Sequence, residues 1–334
     1  MLRRILLILL QATVTTAAIL YVFHDPSKRA EIGGALHRAD KMWIVLGCAC
    51  YACVEIVATV RWHMLLRIQR ISLGWVRTGA IVIIGLFFNV FLPGLVGGDV
   101  MRLYYIFRLA PEAKVPGSLS IVMDRLLGLL AIVFLVAIVL VARFNWLTQV
   151  PETAQLAYLA IALLGGGFFC VALLFTLARS DRVRKLPTGI PFRNSIEKFG
   201  QALGAYRKHY IPTLIAFAIT IVSQLAYYTT YYCAGASLRQ SSPRTPSFLD
   251  IVSIMPLVNT FTAVPISFGG VGVRETLFQH LLGHLCGVPE PIAVLTASLG
   301  FTIQAMCGLL GGAIYLVWRP RRPLQMRKTA RLRN

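Results

Sequence analysis

Eight long apolar segments divide this chain and restrict the folds it can adopt. They span residues 5–23, 42–60, 78–97, 118–142, 156–178, 211–233, 248–268 and 291–318. A helix needs about 20 apolar residues to cross the hydrocarbon core of a bilayer. Hydrophobic residues make up 57% of the chain and charged residues only 14%, whereas soluble domains carry about 25% charged residues. We therefore expect an all-α polytopic membrane protein, which excludes a disordered chain, a coiled coil and an ordinary soluble enzyme.

The distribution of Lys and Arg predicts which segments cross the membrane. The chain carries 33 basic and 13 acidic residues. With the N-terminus in the cytoplasm and all eight segments crossing, the loop 179–210 lies outside. This loop carries eight basic residues, whereas Lys and Arg prefer cytoplasmic loops. If 78–97 and 248–268 instead enter and leave on one side, 24 basic residues lie inside and eight outside. We predict about six crossings and two re-entrant broken helices, with both termini and the basic tail 319–334 in the cytoplasm. Eight full crossings are the alternative.

The two broken segments contain the same motif. Residues 93–102 read PGLVGGDVMR and residues 265–274 read PISFGGVGVR, so both follow P-x-x-x-G-G-x-x-x-R at an offset of 172 residues. An asparagine precedes each proline, Asn89 and Asn259, and a Val-Pro pair follows each arginine. A fixed period of this kind indicates internal duplication.

The number of crossings in each half sets the relative orientation of the halves. We predict one transmembrane domain over residues 1–334, with halves at about 1–155 and 156–318 that each hold three crossings and one re-entrant hairpin. Because three is odd, the second half runs inverted relative to the first. Inverted repeats with broken helices that meet near the midplane are a transporter architecture. Two Gly/Pro kinks in ordinary helices are the alternative.

Charged residues inside apolar segments are the candidate functional residues, because each costs about 2.5–3.5 kcal/mol to insert. Asp99 and Arg102 lie three residues apart and can pair on one helical turn. Asp124 and Arg125 open the fourth segment. These charges either bind a ligand or neutralise each other and lock the hairpins. Glu55 stands alone in the second segment and is the candidate for energy coupling.

The two glycine motifs favour binding of a lipid phosphate. Glycines leave backbone N–H groups accessible at the start of a helix, where a bound anion is stabilised. The planar guanidinium group of arginine donates hydrogen bonds that match phosphate oxygens. The predicted lipid-phosphate site comprises Asn89, Pro93, Gly97, Gly98, Asp99, Arg102, Asp124, Arg125, Asn259, Pro265, Gly269, Gly270, Arg274 and Glu275.

No nucleic-acid, metal or cofactor site is predicted. The net charge of +20 fits Lys and Arg beside anionic lipid headgroups. The cysteines at 48, 50 and 53 lie in an apolar segment, where cysteine usually acts as a small hydrophobe. His280 and His284 have the spacing of an amphipathic surface helix rather than a complete metal motif. Four tyrosines that end the sixth segment are interpreted as an interfacial aromatic belt: Tyr227, Tyr228, Tyr231 and Tyr232.

Three motifs in order resemble those of a known family. FFNVFLPGLVGGDVMR (87–102), VMDRLLGLL (122–130) and PISFGGVGVRE (265–275) are similar to motifs of the lysylphosphatidylglycerol synthase transmembrane family, also called the flippase-like or UPF0104 family. The resemblance covers nearly the whole chain. In its best-known members the membrane region is fused to a cytosolic aminoacyltransferase domain and moves the modified lipid across the bilayer. The chain ends at Asn334 without such a domain, so the resemblance implies lipid translocation in a bacterial inner membrane and gives no support for lysyl transfer.

These observations predict a function in lipid transport. We expect a flippase or translocase for an anionic phospholipid or polyprenyl-phosphate lipid, without enzymatic activity or cofactor. Its partners would be membrane lipids and a separately encoded lipid-modifying transferase. One alternative is a membrane-embedded transferase or accessory subunit in lipid-linked glycan, aminoacyl-lipid or hopanoid biosynthesis, in which Asp99 and Asp124 bind a divalent metal. Another is an ion-coupled transporter of a soluble solute, with Glu55 as proton carrier.

Overall fold

The chain is helical throughout the residues that the structure describes. The computed structural model describes residues 34–91, 97–179, 206, 208–242, 244–263 and 270–318. Within these ranges the helices are α1 (Lys41–Ile68), α2 (Trp75–Phe91), α3 (Gly97–Leu109), α4 (Lys114–Leu147), α5 (Pro151–Arg179), α6 (Tyr210–Ala236), α7 (Phe248–Thr262), α8 (Val273–Cys286) and α9 (Glu290–Val317). The first apolar segment, most of the basic loop at 179–210 and the tail 319–334 lie outside the described residues.

Among the residues that the structure describes, four helices are long and apolar enough to cross a membrane. They are α1, α6, α9 and the helix Pro111–Leu147 that contains α4. Their outward faces are apolar, since large hydrophobic side chains such as Met42, Val141 and Leu316 are more than 70% exposed. An apolar surface of this kind suits hydrocarbon rather than water. Together with the shorter apolar helices α2 and α7, these four confirm the prediction of an all-α polytopic membrane protein.

The two segments that carry the glycine motifs form short helices. α2 has 17 residues and α7 has 15, or about 25 and 22 Å of helix at 1.5 Å per residue, less than the roughly 30 Å hydrocarbon core. Further helices, α3 and α8, begin after each motif. α2 ends at Phe91 and α3 begins at Gly97, and α7 ends at Thr262 and α8 begins at Val273. Residues 92–96 and 264–269 between them lie outside the described residues, and the re-entrant course of the two hairpins stays a prediction.

Local capping explains where several helices begin. The Asp40 carboxylate accepts a hydrogen bond from the Met42 amide at 2.8 Å at the start of α1. The Ser247 hydroxyl accepts from the Asp250 amide at 3.2 Å, and the Asp250 carboxylate accepts from the Ser247 amide at 3.0 Å. This reciprocal pair satisfies two amides that otherwise have no partner at a helix start, and it fixes α7 at the beginning of its apolar segment.

The helices of the two halves pack in matching pairs. α1 lies along α6 in the most extensive helix contact of the described residues. α2 packs on α1 and α3, and correspondingly α7 packs on α6 and α8. In the same way, α4 packs on α1 and α3, and α9 packs on α6 and α8. The contacts between the halves match as well, because α9 lies against α1 and α2 while α4 lies against α6 and α7. Exchange of the two halves therefore leaves this set of helix contacts unchanged.

Two glycines permit the closest approaches of α2. Gly98 of α3 lies against the backbone of Gly85, and Gly311 of α9 lies against the backbone of Ile83. A Cβ atom at Gly98 or Gly311 would overlap a carbonyl oxygen of α2. These contacts hold the start of α3 and the C-terminal part of α9 against one short helix.

Candidate functional site

A buried carboxylate joins the first glycine motif to three neighbouring helices. Asp124 on α4 is 4% exposed. It accepts hydrogen bonds from Arg61 Nε on α1 at 2.6 Å and from Arg102 Nη1 on α3 at 2.9 Å. Arg61 also donates to Thr220 Oγ1 on α6 at 3.3 Å. Because a buried charge is stable only when paired and hydrogen-bonded, this triad of Arg61, Arg102 and Asp124 holds four helices in register.

A second ion pair lies beside the triad, and it corrects the predicted pairing. Arg125 donates to Asp99 through Nε at 2.6 Å and Nη2 at 3.0 Å. The pairing of Asp99 with Arg102 within α3 is therefore wrong, and so is the alternative that Asp124 and Arg125 neutralise each other. Successive residues of a helix point about 100° apart, so Asp124 and Arg125 face different neighbours. The charges pair between α3 and α4 instead, which lie side by side.

The first motif also provides its own helix cap. The Gly98 amide donates to Asn89 Oδ1 at 2.9 Å, where α3 begins at Gly97. The Asn89 side chain thus accepts a hydrogen bond from one of the backbone amides that we predicted to be available to a phosphate. Asn89 therefore contacts the backbone directly. Three predicted site residues lie outside the described residues: Pro93, Pro265 and Gly269.

The arginine of the second motif has an aromatic environment. Arg274, in the first turn of α8, is 5% exposed. Its guanidinium carbon lies 5.1 Å from the ring centroid of Phe301 and 5.8 Å from that of Tyr231. Gly270, with φ of 78°, leaves room for this side chain, since a Cβ there would stand 3.2 Å from Arg274 Nη2. The two motif arginines are thus both buried beside aromatic rings, since the guanidinium carbon of Arg102 lies 5.2 Å from the ring centroid of Trp62.

The remaining polar residues of the second motif contact protein groups. Glu275 accepts from the Gly272 amide at 2.6 Å and from Ser298 Oγ at 3.4 Å, so it caps α8. Asn259 Nδ2 donates to Gln224 Oε1 on α6 at 3.4 Å. Among the described residues Asn259 therefore caps no helix as Asn89 does, and it lies six residues before the motif proline, whereas Asn89 lies four residues before it.

Tyrosines connect the surroundings of the two arginines. The rings of Tyr51 on α1 and Tyr227 on α6 meet edge to face with centroids 6.2 Å apart. The hydroxyls of Tyr227 and Tyr231 lie 3.1 Å apart, and Arg274 follows beyond Tyr231. On the other side, Glu55 lies one helical turn after Tyr51 on α1, and its carboxylate interacts electrostatically with Tyr51 and Arg102. We call Arg102, Tyr51, Tyr227, Tyr231 and Arg274 the polar file, and Glu55 lies beside it.

The burial of two of these tyrosines corrects their sequence interpretation. Tyr228 and Tyr231 are completely buried, so an interfacial aromatic belt does not explain them. They lie on the face of α6 that packs into the core with Phe278 of α8. The sequence analysis also missed Tyr51 and Arg61. Arg61 stands just past the second apolar segment, where it resembles a loop residue, and the spacing of Tyr51 one turn before Glu55 was the available signal.

Comparison with known proteins adds to this geometry. Residues 6–312 match the model of a family described as the lysylphosphatidylglycerol synthase TM region. A UPF0104 membrane protein of Pyrococcus horikoshii is 24% identical over 310 residues, which cover 84% of this chain and 88% of that protein. The matched range contains both glycine motifs and the whole polar file.

Proposed function

This chain belongs to the family of the lysylphosphatidylglycerol synthase transmembrane region, and we propose that it moves an anionic lipid between the leaflets of the cell membrane. The lipid class is a phospholipid or a polyprenyl phosphate, because a planar guanidinium matches phosphate oxygens. The chain acts in this proposal as a translocase and not as an enzyme, and a separately encoded transferase that modifies the lipid is a suitable partner.

The polar file is the observation that carries this proposal. A phosphate headgroup is strongly disfavoured in hydrocarbon unless charged or polar groups replace its water. The file places an arginine at each end, at Arg102 and Arg274, with tyrosine hydroxyls between them. It runs between α1 and α6, the helices that pack most extensively in the described part of the chain. A headgroup that moves along this line would meet a hydrogen-bond donor at each step.

The matched packing of the two halves supports an inverted repeat. A pseudo-two-fold axis between α1 and α6 would exchange α2 with α7, α3 with α8 and α4 with α9, and each contact among these eight helices then has its counterpart. The counterpart of α5 would be the first apolar segment, which lies outside the described residues. In this proposal one broken hairpin enters from each face of the membrane and both termini are cytoplasmic. Inverted halves of this kind provide alternating access to a site between them.

The ion pairs favour a translocase over a metal-dependent transferase. A transferase of that kind would need Asp99 and Asp124 as metal ligands. Asp99 is bound by both nitrogens of the Arg125 fork, and Asp124 by Arg61 and Arg102. A divalent cation would have to displace three guanidinium groups and would then lie among unpaired positive charges.

Reconstitution of the full chain in liposomes tests the proposal. We expect NBD-labelled phosphatidylglycerol to become accessible to external dithionite faster than in protein-free vesicles, and faster than NBD-labelled phosphatidylcholine. Arg274→Gln should abolish the acceleration, because the buried guanidinium is lost. The exposed Arg239, whose guanidinium lies over Trp43 outside the polar file, provides the control Arg239→Gln, which should retain wild-type rates. If neither phosphatidylglycerol nor NBD-labelled undecaprenyl phosphate moves faster than in empty vesicles, the proposed function is wrong.

A further inference from the structure

Glu55 faces the charged triad rather than the lipid. On α1 it shares a stripe with Tyr51, one turn before it, and Trp62, two turns after it. The Trp62 ring lies 5.2 Å from the guanidinium carbon of Arg102, which places this stripe against the first glycine motif. Titratable or charged groups from five helices interact electrostatically with Glu55 or with its neighbour Tyr51. They are Tyr51 and Arg61 on α1, Arg102 on α3, Asp124 on α4, Tyr227 and Tyr231 on α6 through Tyr51, and Cys307 on α9.

The charges around Glu55 balance when its carboxylate is ionised. Arg61 and Arg102 contribute two positive charges, and Asp124 and Glu55 contribute two negative charges. The neighbouring pair of Asp99 and Arg125 is balanced by itself. A monoanionic phosphate that joined this group would leave one uncompensated negative charge in a medium of low dielectric, which is strongly unfavourable. One proton on Glu55 restores the balance.

Arg102 has a donor available for such an anion. Its Nη1 is held by Asp124 at 2.9 Å, whereas its buried Nε donates to no described residue. A buried donor without a partner is costly and is a natural position for a ligand oxygen. Arg102 can therefore keep its contact with Asp124 and still bind a phosphate.

We propose that Glu55 couples lipid movement to protons. In this inference, which rests on the proposed function, a carboxylate oxygen of Glu55 takes up one proton from the more acidic aqueous side when one monoanionic headgroup binds at Arg102. The same O–H bond breaks when the headgroup leaves, and the proton passes to the more alkaline side. The empty and loaded clusters then have the same net charge, and lipid and proton move in the same direction.

A pH gradient across proteoliposomes tests the coupling. The full chain is reconstituted with NBD-labelled phosphatidylglycerol at zero membrane potential, clamped with valinomycin and equal potassium on both sides, and the leaflet distribution is read with dithionite. With one proton per lipid, a gradient of one pH unit should drive the labelled lipid toward an alkaline-side excess of about tenfold. Reversal of the gradient should reverse the excess. Protein-free vesicles correct for lipid that crosses unaided in its protonated form.

Glu55→Gln fixes the neutral form of this side chain. This variant should still equilibrate labelled phosphatidylglycerol between leaflets, and its distribution should stay even under either gradient. Glu112→Gln, at an exposed residue of the 3-10 turn Pro111–Ala113, is the matched control and should keep the wild-type response to the gradient.

The outcomes separate the coupling from the transport itself. If the wild-type protein moves the labelled lipid but its distribution ignores the gradient, Glu55 coupling is wrong and translocation stands. The same conclusion follows if Glu55→Gln responds to the gradient like the wild type. If the wild-type protein moves no anionic lipid, the proposed function fails and the coupling fails with it. If Glu55→Gln moves no lipid while its thermal stability is unchanged, Glu55 binds substrate rather than coupling its movement, which also overturns the inference.

Discussion

Arg102 and Arg274 occupy equivalent places in two copies of one motif, and both combine a carboxylate with an aromatic environment. Arg102 donates to a carboxylate that it shares with Arg61, and its guanidinium carbon lies 5.2 Å from the Trp62 ring. Arg274 lies against two aromatic rings and interacts electrostatically with Glu275. An aromatic face stabilises a cation without neutralising its charge.

The guanidinium group of Arg274 should be more important for transport than its charge alone. Arg274→Lys keeps one positive charge but removes the planar fork and its contact with two rings. We expect this variant to fold and to translocate labelled phosphatidylglycerol about tenfold more slowly or worse, as loss of a buried cation–π contact alone corresponds to roughly 1–2 kcal/mol. The control Arg239→Lys replaces an exposed guanidinium over Trp43 and should transport normally. Equal rates for Arg274→Lys and wild type would contradict phosphate capture by the fork.

A double-mutant cycle should detect the ion pair between α3 and α4. We expect Asp99→Asn and Arg125→Gln to couple by about 0.5–1 kcal/mol in unfolding free energy, a modest value because the Arg125 side chain is 49% exposed. Asp99→Asn and Arg102→Gln should show no coupling beyond error. Unfolding in detergent, followed by circular dichroism, provides the measurement. Coupling only in the second cycle would restore the pairing expected from helical spacing.

At the level of helices, apolar segments predicted the existence of seven of the nine helices, all but α3 and α8, and they predicted their ends less well. The second segment ends at residue 60 because Arg61 follows, but α1 continues to Ile68. Arg61 can stay within the helix since Asp124, 63 residues away, neutralises it. A contact between residues so distant in sequence cannot be recognised from the local hydrophobic pattern. For the same reason the partners of Asp99 and Arg102 were predicted wrongly. The breaks at the two motifs were predictable because Pro and Gly act locally.

The close contact between α9 and α2 gives a prediction for helix packing. Gly311→Ala would place a Cβ against the Ile83 carbonyl, so we expect a clear loss of thermal stability, as overpacking of a tight core contact typically costs about 1–3 kcal/mol. Gly128→Ala in α4 is the matched control, since no atom lies within 4 Å of its added Cβ. There, better helix propensity should leave stability equal or slightly raised. A melting temperature of Gly311→Ala equal to that of Gly128→Ala would show that the contact is not tight.

For the whole molecule, the sequence established the fold class and the family but only part of the site. Composition and segment length predicted the polytopic all-α fold, because every backbone group in a bilayer needs an internal partner. The glycine motifs identified both arginines in the sequence. The tyrosines between them can be assigned to the site only from the packing of α1 against α6. The predicted approach of Gly97 and Gly98 to Gly269 and Gly270 stays a prediction, since Gly269 lies outside the described residues.

The orientation of the whole chain distinguishes six crossings from eight. With two re-entrant hairpins, the turn between α4 and α5 lies outside and the basic loop before α6 lies inside, as the placement of Lys and Arg favours. With eight crossings from the same N-terminal side, both loops exchange sides. Gln149, in the first loop, and Lys208, in the second, are both exposed and report these two positions.

Cysteine labelling in intact cells should therefore give opposite results for the two topologies. In a background with the seven native cysteines replaced by serine, we expect Gln149→Cys to react with a membrane-impermeant maleimide. Lys208→Cys should react only after the membrane is permeabilised. Expression and transport by each variant serve as controls for folding. The reverse pattern would require that segment 78–97 crosses the membrane or that the chain is inserted the other way round. In the first case the two hairpins would no longer enter from opposite faces, and alternating access between inverted halves would lose its structural basis.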